Sequence, residues 1–245
     1  MNIRTRTPLS PCSASTITRT ARRVRNERCS GGTARPRVRN GSVTSASVRR
    51  SVEWPRCRIV LYGEEVTLPV LGALISLPVL EHLDLVAAPT AEALRSWPYA
   101  EQVAVCEIDP GLADTAALTE AFDLPLGASG NCVLVSGARA GDERIAACVV
   151  PASTRADVNT LVRRELDVRK ASFLPMDRAV EESAMEYGGI TPFGLPQQWR
   201  LLVDAALTAE AVVCVGSGLR RSKLLIPGAV LAHLPGAEVV EGLGR

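Results

Sequence analysis

Beyond about residue 70, short apolar runs alternate with stretches of helical period. Leu68–Leu85 is apolar but broken by Pro69 and Pro78, which predicts a capping segment or a short helix starting near Pro78. Ala88–Trp97 predicts a helix with Thr90 as its N-cap, Val103–Ile108 a strand, and Ala113–Phe122 an amphipathic helix. Asn131–Ser136 and Arg144–Val150 read as strands joined through the turn-rich Gly137–Asp142. Ser153 or Thr154 should cap a helix over Ala156–Leu166, where Val158, Leu161, Val162 and Leu166 share one face. Met176–Ala184 follows Pro175 as a short helix. Trp199–Asp204 and Ala211–Val215 read as strands, Ala229–Leu234 as a short helix, and Ala237–Glu241 as a last strand. The fold class is α/β in the mixed α+β sense, with strands too unevenly spaced for a regular βαβ series.

The first 58 residues break this pattern. They hold 14 Arg, no Lys and two acids (Glu27 and Glu53), a net charge of +12. The whole chain carries +2, which leaves −10 for residues 59–245. The leader is rich in Ser and Thr, shows no apolar periodicity and is expected to be disordered. Three origins compete for it: sequence translated upstream of a misassigned start, which we favour, a basic arm for nucleic acid, or an organellar transit peptide. The expected organisation is a disordered basic tail over 1–58, an N-terminal capping and helical segment over 59–100, and one domain over 101–245.

Seven cysteines include no Cys-x-x-Cys pair, and with only His82 and His233 no zinc-type spacing arises. The four in the globular part lie in apolar runs, as reduced buried thiols of a cytoplasmic protein would. Cys132 is a conceivable nucleophile, but neither histidine is tied to its strand, and burial is the preferred reading. No uninterrupted apolar run of about 18 residues suggests a membrane span. Val215-Gly-Ser-Gly218 imitates a dinucleotide-binding turn, yet Arg221 stands where a third glycine is required.

Only two of the 28 basic residues are lysines, Lys170 and Lys223. In a chain so biased towards Arg, each lysine marks a place where a compact ammonium is wanted. Lys170 lies in Leu166-Asp-Val-Arg-Lys-Ala-Ser-Phe173 and Lys223 in the segment Val213–Leu225.

These two segments, with Asp157-Val-Asn-Thr-Leu-Val162, Gly188-Gly-Ile-Thr-Pro-Phe-Gly194, Leu202-Val-Asp204 and Leu234–Val240, resemble in content and order the YbaK/EbsC family. That is the aminoacyl-tRNA deacylase domain also inserted in bacterial prolyl-tRNA synthetases. The resemblance spans about residues 100–245. It implies a mixed, partly closed sheet flanked by helices around one deep cleft. It also implies hydrolysis of the ester between a wrong amino acid and its tRNA, without metal or cofactor, alone or beside a synthetase. Such editing is needed because a synthetase pocket separates small side chains by only about 1–3 kcal/mol per methylene. On this likeness Gly188, Gly189, Thr191 and Pro192 shape the aminoacyl pocket, Gly216 and Gly218 form the facing loop, and glycine N–H groups approach the ester carbonyl. Lys170 matches a family lysine and is a substrate-binding candidate, or an ordinary surface lysine; Asp167 replaces the usual glycine.

Two departures bear on activity. Many family members carry a lysine where this chain has Asn131-Cys132, and an aspartate where Lys223 stands. In one reading the ammonium has swapped walls, making Lys223 and Asn131 the catalytic pair. A one-residue misalignment and loss of activity are the others. A catalytically silent tRNA- or synthetase-binding module is the rival from a different functional class.

A prediction follows for the leader. Deleting residues 1–58 should leave the Tm and deacylation almost unchanged. An RNA arm would instead show weaker tRNA binding with a flatter salt dependence after deletion, because fewer phosphates are neutralised.

Overall fold

The computed structural model describes residues 57–61 and 64–245, with side chains from Thr67 onward. Nearly all of the basic leader, and the expectation of disorder attached to it, therefore lies outside the described residues; Cys57 and Arg58 already belong to the first strand.

β1 (Cys57–Leu61) and β2 (Glu64–Leu68) form an antiparallel two-stranded sheet. β3 (Leu77–Pro78) leads through two 3-10 turns to α1 (Ala88–Ser96), β4 (Ala104–Glu107) and α2 (Thr115–Phe122). β5 (Gly130–Arg139) and β6 (Asp142–Pro151) make a long hairpin. A wide helical turn, Val158–Val162, then continues into α3 (Arg163–Glu165). β7 (Ala171–Phe173), α4 (Met176–Ser183), β8 (Arg200–Asp204), α5 (Ala205–Thr208), β9 (Val213–Gly216), β10 (Ser222–Ile226), α6 (Gly228–Leu231) and β11 (Ala237–Val240) complete the chain.

Two larger sheets result. One is antiparallel, in the order β3-β4-β10-β9; the other runs β11-β8-β6-β5-β7, with β6–β8 and β8–β11 parallel. Among the described residues, the closure expected of the sheet is limited to one bridge between them, Ser129 with Cys214, and neither sheet closes on itself. Strand alternation sorts the side chains into three apolar layers. Between the sheets lie Val105, Val215, Leu224 and Ile226 from one, and Ala147, Val149, Leu201 and Val203 from the other. α1 and Trp97 close this layer, and the Trp97 ring meets Phe193 edge-on at 5.3 Å. On the far side of the four-stranded sheet, Cys106, Cys214 and Leu225 pack against Leu68, Leu71, Leu74 and Leu118 of α2. On the far side of the five-stranded sheet, Val135, Ala146, Cys148 and Leu202 meet Val158, Leu161, Val162 and Leu166. Residues 77–97 are thus woven into the core: β3 extends the four-stranded sheet, and Val79, Leu94 and Trp97 are buried in it.

Several local expectations change. The β5–β6 hairpin turns on Ala140-Gly141 alone, both with positive φ (54° and 96°), the two-residue geometry that matches strand twist. Gly137 signalled a turn but sits inside β5, because a Cβ there would run into Val168 and the Lys170 carbonyl where the chain enters β7. Thr90 is not the cap of α1. Ala87 is, Pro89 occupies the first turn, and Thr90 is buried within the helix. The helix after β6 is capped by Asp157, whose carboxylate accepts the Thr160 N–H (3.2 Å), while Thr154 donates to the Pro151 carbonyl instead. β10 was not anticipated at all. Paired on both edges and wholly buried, it begins beneath the charged run Arg220-Arg221 that disguised it.

Candidate active site

The bridge between Ser129 and Cys214 brings the start of β5 beside β9, and a cleft of about 510 Å3 opens at this junction. Since β9 pairs Gly216 with Lys223 of β10, the bridge register brings Asn131, Gly216 and Lys223 to one level across three neighbouring strands. All three line the cleft.

Lys223 shares the outer face of its sheet with Leu225, next to Cys106 and Cys214, and is only 6% exposed. Its Nζ donates to the Ala113 carbonyl (2.8 Å), the single protein acceptor it finds among the described residues. Asn131 Oδ1 accepts from Thr115 Oγ1 (2.9 Å). The two side chains named from sequence therefore anchor on the same three-residue approach to α2, Ala113–Thr115, with side-chain-free Gly216 between their strands. They come from the two strands, β5 and β10, that flank β9 at this junction.

Burial pushes the Lys223 ammonium below the usual lysine range, opposed by Cys214 and Asp114 and assisted by Arg220. The Cys214 thiol is in turn pushed up to about 11 by burial, with Lys223 pulling it back. Cys132, at the cleft wall, is also pushed up by burial, then by Cys148. Neither histidine lines the cleft: His233 stacks on Tyr99 at 4.9 Å, and His82 lies between the two 3-10 turns. No histidine lies beside Cys132 and burial holds it protonated, which leaves it a packing residue of the wall.

The glycines divide into two roles. Gly188 and Gly216 line the cleft, whereas Gly189 and Gly218 stand behind it. Gly218 N–H donates to the Gly189 carbonyl (2.7 Å), and Gly189 N–H to the Glu186 carbonyl (2.9 Å). The first joins the two loops and the second closes a turn within its own loop, so neither N–H is free to meet an ester carbonyl, contrary to expectation. Their contribution is close approach: a Cβ on Gly189 would strike the Leu219 backbone, and one on Gly216 the carbonyls of Gly189 and Ile190. Gly188, exposed with φ +81°, makes no backbone bond through its N–H among the described residues. Thr191 is fully buried, its hydroxyl without a partner among the described residues, and Pro192 is buried beside it, so both back the pocket wall without lining it. Lys170 is exposed and lies outside the cleft.

Sequence reasoning missed several lining residues. Ser129 is 3% exposed, and its hydroxyl has no partner among the described residues. Such a group costs about 1–3 kcal/mol unless something pairs with it. Asp114 caps α2 through the Ala116 N–H (3.0 Å), and Arg220 reaches over the cleft to the carbonyls of Tyr187 (3.3 Å) and Pro110 (3.0 Å). Behind them Ser217 Oγ and Ser222 Oγ share a hydrogen bond (2.7 Å), and Ser222 also donates to the Leu85 carbonyl, which fixes the turn between β9 and β10. Among the described residues no three His, Cys, Asp or Glu side chains are grouped to hold a metal ion, and no helix is long and apolar enough to cross a membrane.

The buried ammonium makes a pH prediction. A lysine whose folded pKa is depressed binds its proton less readily in the native state, so its desolvation penalty is in full force below that folded pKa. The penalty fades as pH rises towards the unfolded value of 10.5. The thiols act in the opposite sense, since raised folded pKa values confer stability that is lost as pH rises. Comparing Lys223→Met with wild type by urea unfolding from pH 7 to 10 largely cancels them. Wild type should gain on the variant as pH rises; a constant difference would show that Lys223 carries no such penalty.

The model of the aminoacyl-tRNA editing domain matches residues 109–234, just over half of the chain. No sequence among curated proteins matches. Among solved structures, a protein proposed as a trans-editing enzyme for prolyl tRNA synthetase superposes with a TM-score of 0.56 at 18% identity, over 64% of this chain and 95% of that one. The hypothetical protein APE2540 superposes with a TM-score of 0.51 at 19% identity, over 58% of this chain and 90% of that one. At such identities the likeness is one of fold: two sheets flanked by helices, as described above. The match over residues 109–234 contains the whole polar corner from Ala113 to Lys223, and the chain belongs to the aminoacyl-tRNA editing domain family.

Proposed function

We propose that this chain is an aminoacyl-tRNA deacylase acting in trans in the cytoplasm, and that Lys223 and Asn131 form its catalytic corner. The observation that carries the reading is the convergence of a buried ammonium and a carboxamide on Ala113–Thr115, inside a cleft of an editing-domain protein. In this reading the aminoacyl ester enters between Gly188 and Gly216, and a water molecule attacks its carbonyl carbon. Negative charge grows on the carbonyl oxygen, where the Lys223 ammonium and the free Gly188 N–H stabilise it. A preorganised donor in a water-poor site does this at little reorganisation cost. The carbon–oxygen bond to the ribose then breaks, the ribose oxygen takes a proton, and free amino acid and tRNA leave. Asn131 holds Thr115 and positions the start of α2 over the ester. Gly189, Thr191, Pro192 and Gly218 support the pocket from behind. Lys170, exposed outside the cleft, is proposed to meet the tRNA backbone rather than the ester. The chemistry calls on no metal or cofactor.

The trans-editing description of the prolyl-tRNA synthetase neighbour makes mischarged tRNA for proline the first substrate to try, with the synthetase as a candidate partner. The competing reading, a silent tRNA- or synthetase-binding module, draws on the absence of a lysine at Asn131-Cys132.

A panel of charged tRNAs incubated with the purified chain separates the two. Release of amino acid from at least one mischarged tRNA is expected, and no release from any would leave the silent module standing. On the active substrate, Lys223→Ala should lower the single-turnover rate by roughly 10²-fold, the scale of one transition-state donor. Lys223→Arg should rescue poorly, because a planar fork does not replace a point charge in a tight corner. A Lys223→Ala rate within about threefold of wild type, far short of the loss of such a donor, would remove the lysine from the chemistry.

A further inference from the structure

Among the described residues that line the cleft, Asp114 is the one carboxylate. Its Oδ1 is fixed by the Ala116 N–H at the start of α2, and its other oxygen has no hydrogen-bond or ion-pair partner among the described residues. The residue before it offers its carbonyl to Lys223, and the residue after it offers its hydroxyl to Asn131. A carboxylate, an ammonium and a carboxamide thus stand at one corner, held by a single three-residue stretch. The Ser129 hydroxyl, buried and without a hydrogen-bond partner among the described residues, lines the same cleft and leaves a further polar atom to be paired there.

An ester of an α-amino acid presents two reactive features one carbon apart, the carbonyl to be attacked and the α-amine. An α-amino group titrates at about 7.7–8.0, so it is largely cationic at neutral pH. Lys223 and Arg220 also line the cleft, and the start of α2 adds positive potential, so an unaided cation would be repelled there. A carboxylate with one oxygen to spare reverses that at a single point. We propose that Asp114 binds the α-ammonium of the aminoacyl group. It thereby turns the ester carbonyl towards Lys223 and makes the site selective for aminoacyl esters over other acyl esters of tRNA. This rests on the deacylase reading and adds to it the group that recognises the amino acid as such.

The variant Asp114→Asn tests it cleanly, because asparagine caps a helix as well as aspartate does and the Tm should hold. Asp114→Ser serves as a second capping variant. Aminoacyl-tRNA is compared with its α-hydroxyacyl counterpart, made from it by nitrous acid deamination, which keeps the acyl skeleton and replaces the ammonium by a neutral hydroxyl. The intrinsic lability of each ester is common to all the proteins and cancels in their comparison. Both variants should lower kcat/KM on the aminoacyl substrate roughly tenfold or more, the scale of one charge-assisted hydrogen bond. The aminoacyl-to-hydroxyacyl ratio should fall by the same factor. An unchanged ratio in the folded variants overturns the assignment. Calorimetric binding of an adenosine carrying the aminoacyl group through an amide, against the same compound without its amine, tests Asp114 without turnover. Wild type should prefer the amine and Asp114→Asn should not; equal binding of the two compounds by wild type also overturns it. Should wild type hydrolyse nothing yet prefer the amine through Asp114, the deacylase reading fails and the ammonium site stands.

Discussion

Where a side chain would stand on residue 216, the carbonyl oxygens of Gly189 and Ile190 are already in place. That close approach lets the loop after α4 lie directly on β9, and the Gly218-to-Gly189 hydrogen bond then joins the two loops. Gly216 also stands at the level of Asn131 and Lys223, on the strand between them. The cleft wall that Gly188 and Ile190 form beside β9 depends on this missing Cβ.

The same arrangement explains how an ammonium is tolerated in an apolar layer. Lys223 shares a sheet face with Leu225, Cys106 and Cys214, where a charge costs several kcal/mol unless something offsets it. One carbonyl, from Ala113, and the more distant Asp114 give partial relief, and burial still wins, which is why the pKa falls. An under-satisfied cation facing a cleft is poised for a ligand that brings negative charge, and a developing oxyanion or a tRNA phosphate does so. A surface arginine could not take this place, because its fork needs more acceptors than the corner offers.

The legible parts of the chain were those encoded in local periodicity or in residue scarcity. The face Val158, Leu161, Val162 and Leu166 emerged buried as its spacing required, although Asp157 rather than Ser153 or Thr154 caps it. Lys223 stood out because lysine is so rare here, and it does line the cleft. Lys170 stood out for the same reason and lies outside it, so scarcity marks a residue without giving its location. Hidden features were those fixed by tertiary approach. Asp114 and Thr115 look like any helix start, and only the fold carries α2 over β9 and β10. Gly189 and Gly218 looked like free donors, but a sequence cannot say that the first N–H closes a turn onto Glu186 and the second is taken by the facing loop. β10 was concealed because its pairing on both edges outweighs the polar residues that open it.

The central claim is that one ammonium, delivered from β10, does at this corner what a lysine at the start of β5 does in relatives carrying it there. Placing the lysine back tests this directly. In the Lys223→Ala background, Asn131→Lys should restore the single-turnover deacylation rate at least tenfold above that of Lys223→Ala alone, a large part of one transition-state donor. A folded double variant that binds tRNA as wild type does, yet reacts no faster than Lys223→Ala, would contradict the claim.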